Sequence, residues 1–299
     1  MLASTARRET IAGVLYAGSA FLIWGLSPVY WKAMQRVPAL EIVAHRVVWS
    51  IVFLMGLTLL QRRWGEFRQV LKTPRTLLIL ALTTLLVSFN WLLYIWAVNA
   101  GYMLQASLGY YINPLVNVLL GMVVLKERLR RPQALAVLLA GAAVVYRTVS
   151  HGELPWIALG LGFSFGLYGL IRKMAPVSSL VGLGVETLLL TAPSAAYLVY
   201  LEGQGAGALF RFGGSVDALL VGTGVLTAVP LLCFNLGARR INLSTVGLMQ
   251  YIAPSGMFLL AVLVYGEPFT GGQAWSFALI WTALAIYSID SVRTYRRTV

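Results

Sequence analysis

Apolar stretches of about twenty residues recur along the whole chain, separated by short charged segments. The longest runs from residue 76 to residue 125 and contains no Asp, Glu, Lys or Arg. A single helix of that length would measure about 75 Å, more than twice the ~30 Å hydrocarbon core of a bilayer, so the stretch must turn. Turn-forming residues, Asn99-Ala100-Gly101, lie at its centre. These stretches predict membrane-spanning helices.

Composition supports lipid rather than water as the surrounding solvent. The 299 residues are 59% hydrophobic and 11% charged, whereas about a quarter of the residues of a soluble domain are charged. The single cysteine, Cys233, excludes an internal disulfide and a cysteine-rich metal site.

The charged residues delimit ten apolar segments, which predict an all-α membrane protein with ten transmembrane helices. The segments are 10–31, 42–61, 77–98, 103–125, 132–148, 154–171, 178–201, 217–237, 243–265 and 272–290.

The basic residues alternate from one connecting segment to the next. With the N-terminus inside, 18 of the 23 lysines and arginines lie in the inner segments. This distribution predicts a multi-pass membrane protein with both termini in the cytoplasm. It also accounts for the net charge of +13 without a nucleic-acid partner.

The sequence resembles itself after a shift of 140 residues. Tyr111-Ile112-Asn113-Pro114 aligns with Tyr251-Ile252-Ala253-Pro254, and Glu127 aligns with Glu267; residues 108–147 contain 12 identities. This repeat predicts two five-helix halves, 1–150 and 151–299. Because five crossings reverse the chain direction, the second half is expected to lie inverted, as in many secondary transporters. A duplicated channel or membrane enzyme has the same pattern and remains an alternative.

Glu186 lies well inside the seventh segment, where an ionised carboxyl must face the protein interior or be paired. An apolar environment favours the protonated form, so Glu186 is a candidate proton carrier. A structural carboxylate bonded to a neighbouring helix is an equally weighted alternative.

Three polar residues open the second segment. Glu41 and His45 are four residues apart and share a helix face, and Arg46 lies about 100° further round. One interpretation is a polar gate or a clamp for a substrate carboxylate at the outer mouth. Alternatively, Arg46 extends to the membrane interface.

Amide and aromatic side chains within the segments are further candidates for the transport pathway, because a buried amide or phenol needs a polar partner. They are Trp24, Asn90, Tyr94, Tyr110, Asn113, Tyr168, Phe234, Gln250 and Tyr251. Helix packing explains each of them equally simply. In the sixth segment the spacing of Gly162 and Gly166 predicts close contact with a neighbouring helix.

Motifs for nucleotide hydrolysis, zinc binding and serine hydrolases are absent from the sequence. We therefore predict a non-enzyme without cofactor or metal. Its partners would be a small-molecule substrate, the lipid bilayer and, as candidate coupling ions, protons.

Several longer motifs resemble those of the RarD family, an EamA-type branch of the drug/metabolite transporter (DMT) superfamily. They include Phe21-Leu-Ile-Trp24-Gly25, Glu41-Ile-Val-Ala-His45-Arg46, Asn90-Trp91-Leu-Leu-Tyr94 and Gln250-Tyr251-Ile-Ala-Pro254. The resemblance extends over nearly the whole chain and implies ten helices in two inverted repeats. It also implies export of amino acids, metabolites or drugs across the plasma membrane.

Taken together, these features predict a secondary transporter that works by alternating access. An uncoupled facilitator of the same fold is one alternative, and an integral membrane enzyme is another.

Overall fold

The computed structural model describes residues 2–126, 129–151, 154–238, 240–241 and 249–298. Over these ranges the chain forms eleven α-helices and no strand. They are α1 (Leu2–Ala33), α2 (Ala39–Leu60), α3 (Trp64–Leu71), α4 (Pro74–Asn99), α5 (Met103–Leu125), α6 (Arg131–His151), α7 (Trp156–Met174), α8 (Ser179–Gly203), α9 (Gly214–Ala238), α10 (Ile252–Leu259, continued by a π-helical turn over Leu260–Val264) and α11 (Gly271–Thr298).

Eight helices in the described ranges are long and apolar enough to cross a membrane, and two shorter apolar helices cover Trp156–Arg172 and Ile252–Val264. The prediction of an all-α, multi-pass membrane protein is confirmed for this part of the chain. The first half of the ninth predicted segment, 243–248, lies outside the described residues.

Large apolar side chains cover the outer surface of the bundle. Leu60, Leu78, Leu138, Val149 and Val199 are each at least 70% exposed. A surface of this kind is stable against hydrocarbon, where exposed leucine and valine carry no hydration cost.

The predicted turn in the uncharged stretch is confirmed. Helix α4 ends at Asn99, and Gly101 follows with a φ of +82°, a conformation that glycine adopts without a steric penalty. Helix α5 then begins at Met103, so the stretch forms two antiparallel helices.

Helix positions repeat at the interval found in the sequence. The first residues of α2 and α8, Ala39 and Ser179, are 140 positions apart, as are those of α4 and α9 and those of α6 and α11. The packing follows the same pairing, since α2 contacts α8 and α6 contacts α11. Helix α9 packs on α1, and α4, which corresponds to α9, packs on α7 in the same way.

Glycines allow α5 and α7 to approach closely, as the Gly162–Gly166 spacing predicts. A methyl group added at Gly109 would lie 2.8 Å from the carbonyl oxygen of Ala158, and one at Gly166 would lie 2.9 Å from Val116. Small residues therefore determine this helix contact.

Helix α3 was not predicted, because it has only eight residues and lies between two spans. Its buried Phe67 and Val70 pack on Val181 and Val185 of α8. We call the side of the bundle where α1 begins, which includes α3, the N-terminal face, and the side where α1 ends the opposite face.

Candidate functional site

The guanidinium group of Arg46 lies between aromatic side chains of two other helices. Its Cζ atom is 4.1 Å from the ring centre of Trp91 on α4 and 5.6 Å from that of Trp31 on α1. Its Nε atom donates a hydrogen bond of 3.0 Å to the hydroxyl of Thr227 on α9. The guanidinium is thus directed into the bundle, and not towards the membrane interface, at a position about 10 Å along α2 from its start.

Arg46 has no carboxylate partner among the described residues. The ion pairs found there are Arg63–Glu66, Arg130–Asp290, Arg172–Glu186 and Arg240–Glu9. Cation–π contact compensates part of the cost of burying the charge.

Two tyrosines lie next to this arginine. The Tyr94 hydroxyl is 2.9 Å from the hydroxyl of Ser27, and the Tyr94 ring lies edge-on to the Tyr110 ring, with 5.6 Å between their centres. The Tyr110 hydroxyl donates a 3.2 Å hydrogen bond to the side-chain oxygen of Asn90.

Asn90 uses its whole amide group, and so connects three helices. Its nitrogen donates to the carbonyl of Leu161 at 3.1 Å and to the hydroxyl of Ser164 at 2.9 Å, both on α7, while its oxygen accepts from Tyr110 on α5. We call these side chains the Arg46 cluster: Ser27, Trp31, Arg46, Asn90, Trp91, Tyr94, Tyr110 and Thr227.

Glu186 lies in a second polar group, the Glu186 cluster, with Thr83, Tyr168 and Arg172. It is 1% exposed and accepts hydrogen bonds from Thr83 at 2.5 Å and from Tyr168 at 3.1 Å. Arg172 lies 3.5 Å away, as an ion pair. The carboxyl therefore faces the interior and is paired, and it connects α8 with both α4 and α7.

Aromatic rings connect the two clusters. Phe165 contacts Tyr110 on one side, at 6.2 Å between ring centres, and Tyr168 on the other, at 6.0 Å. Leu54, Leu180 and Leu183 form a buried cluster against Trp91, on the side towards the N-terminal face. Apolar packing thus covers Trp91 on that side.

Asn113 belongs to a chain of amides beside the Arg46 cluster. Its nitrogen donates to the carbonyl of Gly162 at 3.2 Å, and its oxygen accepts from Asn117 at 3.2 Å and from Gln250 at 3.5 Å. These bonds join α5 to α7 and to the turn before α10, as expected for amides that stabilise helix packing.

The remaining aromatic candidates lie elsewhere. Trp24 packs with Phe21 and Phe234, with ring centres 5.6 and 5.9 Å from its own. Tyr251 stacks on Tyr111, and both line an open groove of about 430 Å³ beside Trp281.

Glu41 and His45 do not join Arg46. The Glu41 carboxyl, 1% exposed, accepts a 2.6 Å hydrogen bond from the backbone N–H of Ala208, in the loop between α8 and α9. His45 is buried, and neither ring nitrogen has a hydrogen-bond partner among the described residues. The three residues expected to form one polar group thus have separate environments.

Two carboxyl groups outside the spans join distant elements. Burial would raise the pKa of Glu66, but hydrogen bonds from Ser178 and Arg63 hold it below its ordinary value. Burial raises the pKa of Glu267, although the N–H groups of Met103 and Leu104 and the charge of Lys32 oppose the shift. Glu66 thus fastens α3 to the start of α8, and Glu267 caps α5.

Several residues of these clusters were not predicted as site residues. Trp31 and Arg172 lie beside charged segment ends, where a membrane-interface role is the simpler interpretation. Thr83 and Thr227 are threonines in apolar spans, and nothing in the sequence distinguishes them from the other threonines of these spans. In the described part of the chain, no group of three His, Cys, Asp or Glu residues could hold a metal ion.

Comparison with known proteins identifies the family. Residues 11–148 match the EamA-like transporter family. The chain is 48% identical to Protein RarD of Salmonella typhi over 290 residues, which cover 97% of this chain and 99% of that protein. It is 50% identical to a protein of Vibrio cholerae serotype O1 named "Uncharacterized transporter", over 96% of this chain and 95% of that one.

A more distant relative supports the same family, and a solved structure has a similar fold. The Chloramphenicol-sensitive protein RarD of Pseudomonas aeruginosa is 32% identical over 95% of this chain and 96% of its own length. A crystal structure superposes on this chain with a TM-score of 0.60 at 20% identity, covering 92% of this chain and 96% of that chain. At this identity the similarity shows the fold alone. This chain is a membrane transporter homologue and belongs to the RarD family, within the EamA-like transporters of the drug/metabolite transporter superfamily.

Proposed function

We propose that this chain is a secondary transporter that exports small organic metabolites, such as amino acids or drugs, by alternating access. One observation carries the proposal: the Arg46 cluster is a largely buried group of polar and aromatic side chains to which α1, α2, α4, α5 and α9 contribute. Aromatic walls with few polar groups suit a small organic ligand.

Alternating access requires two halves that move against each other. We assign them to 1–150 and 151–299, as two inverted five-helix repeats that make ten crossings. The 140-residue interval between helix starts and the paired packing support this assignment. On this assignment the Arg46–Thr227 hydrogen bond crosses from one half to the other.

The membrane orientation belongs to the same proposal. The excess of basic residues in alternate segments supports an inner-membrane protein with cytoplasmic termini. The N-terminal face is then cytoplasmic, and the leucine cluster of Leu54, Leu180 and Leu183 packs against Trp91 on the cytoplasmic side.

The Glu186 cluster is suited to couple transport to protons. The Thr83–Glu186 hydrogen bond and the Arg172–Glu186 ion pair fasten α8 to α4 and α7. Protonation of Glu186 removes the charge that holds Arg172, which favours separation of these helices at the cytoplasmic face. A purely structural carboxylate would hold the same contacts without responding to the gradient.

Reconstituted protein tests the coupling. Uptake of radiolabelled amino acids, nucleosides and chloramphenicol into proteoliposomes is measured with and without a pH gradient. We expect wild-type protein to accumulate its substrate above equilibrium when the gradient is present. Glu186→Gln, which keeps the shape but does not titrate, should equilibrate the substrate without accumulating it.

Glu202→Gln is the matched control, since it removes an exposed carboxyl from the same helix. Equal wild-type accumulation with and without the gradient would favour the uncoupled facilitator. Accumulation by Glu186→Gln that still follows the gradient would end the proton assignment. A covalently changed substrate after incubation would favour the membrane enzyme.

A further inference from the structure

Arg46 carries a partly buried positive charge inside a span, and most of its hydrogen-bond donors are unused. A guanidinium group has five N–H donors, and among the described residues Arg46 makes one hydrogen bond, from Nε to Thr227. No described carboxylate lies within ion-pair distance of it. A cation inside a span is unfavourable unless an anion or polar groups compensate it, so an anion placed beside Arg46 would be stabilised.

The surroundings determine what else the ligand must contain. Two indole rings lie within 6 Å of the guanidinium, and Tyr94 and Tyr110 add further aromatic surface. Flat apolar groups stack favourably on such rings, whereas a chloride or acetate ion leaves them without a partner.

The same arrangement disfavours cations. Two buried carboxylates on α2 and α8 have other partners: Glu41 binds Ala208, and Glu186 binds Thr83, Tyr168 and Arg172. A ligand ammonium group would therefore find no described counter-charge in the Arg46 cluster and would be repelled by Arg46 itself.

We infer that the Arg46 cluster binds organic acids with a flat aromatic body, the carboxylate pairing with the guanidinium of Arg46 and the ring lying against Trp31 and Trp91. This inference rests on the proposed function for its transport role, but the binding site can be tested separately. Within the proposed class of small metabolites it selects aromatic carboxylates over amino acids and amines, because both of the latter carry an ammonium group. Arginine suits this task because its planar donors match a carboxylate in a bidentate geometry.

Isothermal titration of full-length protein in lipid nanodiscs tests the inference with matched probes. Indole-3-acetate carries the charge, indole-3-acetamide lacks it, tryptamine reverses it, and acetate lacks the ring; benzoate with benzamide, and phenylacetate with phenylacetamide, are further acid–amide pairs. We expect at least one acid to bind ten-fold or more tightly than its amide, tryptamine and acetate.

Substitutions of the arginine locate the effect. In Arg46→Gln the preference for acid over amide should disappear, and in Arg46→Lys it should be reduced but present. Arg36→Gln removes an exposed charge from the loop between α1 and α2. This variant should retain the preference for acid over amide. Gel filtration and binding of the amides show whether each variant is folded.

Contradicting results are equally specific. The inference fails if no acid binds more tightly than its amide, if acetate binds as tightly as indole-3-acetate, or if Arg46→Gln retains the acid preference. Uptake of the labelled acid into proteoliposomes is measured in parallel. Arg46-dependent binding without uptake refutes the transport proposal alone, whereas uptake with an unchanged preference in Arg46→Gln refutes the binding site alone.

Discussion

At the scale of single residues, neighbours in the sequence have different tasks. Glu41 binds the loop before α9, His45 is buried without a described partner, and Arg46 points between Trp31 and Trp91. Helix geometry explains this difference, because Arg46 lies about 100° from His45 and so meets other helices. The local sequence could predict polar chemistry here but not how it is divided.

Asn90 provides a prediction at this scale. Replacing it with alanine would leave the Ser164 hydroxyl, the Leu161 carbonyl and the Tyr110 hydroxyl without their present partner. We expect Asn90→Ala to lower the free energy of unfolding by about 1–2 kcal/mol and to reduce transport at least ten-fold, since Tyr110 loses its orientation. Unfolding in mixed SDS micelles and proteoliposome uptake measure the two effects.

Ser88→Ala is the control on the same helix, since its exposed hydroxyl bonds only within α4. It should change the free energy of unfolding by less than about 0.5 kcal/mol. Equal stability and uptake in Asn90→Ala and wild type would show that this amide network is dispensable.

At the scale of helices, close contact between α5 and α7 holds Asn113 near its backbone partner, Gly162, on α7. Gly109 packs against the backbone of Ala158, and Gly162 packs against Ile112. Longer side chains at these positions would separate the helices and lengthen the Asn113–Gly162 hydrogen bond. Packing and polar contacts at this interface therefore depend on each other.

Gly109→Ala tests this dependence. The new methyl group would lie 2.8 Å from one backbone atom of Ala158 and 3.1 Å from another, and backbone cannot rotate aside. We expect a loss of about 1–3 kcal/mol in the free energy of unfolding. Gly169→Ala, nearer the C-terminal end of α7, is the control, because its new methyl group would lie more than 4 Å from other atoms. It should leave the free energy of unfolding unchanged or raise it by up to about 1 kcal/mol. A similar response of both variants to SDS unfolding would contradict the proposed close contact.

At the scale of the whole molecule, the proposed inversion of the two halves makes a topological prediction. Arg131 and Gly271 are 140 residues apart and are the exposed first residues of α6 and α11. In inverted halves they must lie on opposite sides of the membrane.

Cysteine labelling can decide this point, since Cys233→Ala gives a cysteine-free background. We expect a membrane-impermeant maleimide added to intact cells to label Gly271→Cys and not Arg131→Cys. Inside-out vesicles should give the reverse pattern, which controls for reactivity. Labelling of both positions from one side would refute the inverted repeat and the alternating-access proposal together.

Much of the architecture could be predicted from the sequence because the bilayer imposes a simple rule. Every crossing needs about twenty apolar residues, so the distribution of charges delimits the helices. The turn at Asn99-Ala100-Gly101 and the glycine contact of α7 were predictable for equally local reasons. Helix α3 was not, since eight amphipathic residues have no length signal and their docking on α8 depends on tertiary contacts.

The sequence by itself determined where the chain enters and leaves apolar surroundings, and which side chains are costly there. The tertiary structure decided which of those side chains meet. Glu186 meets Thr83 from 103 positions away, and Arg46 meets Thr227 from 181 positions away. The physical reason is that a buried charge is stabilised by groups within a few ångströms in space, and helix packing, not sequence distance, brings those groups together.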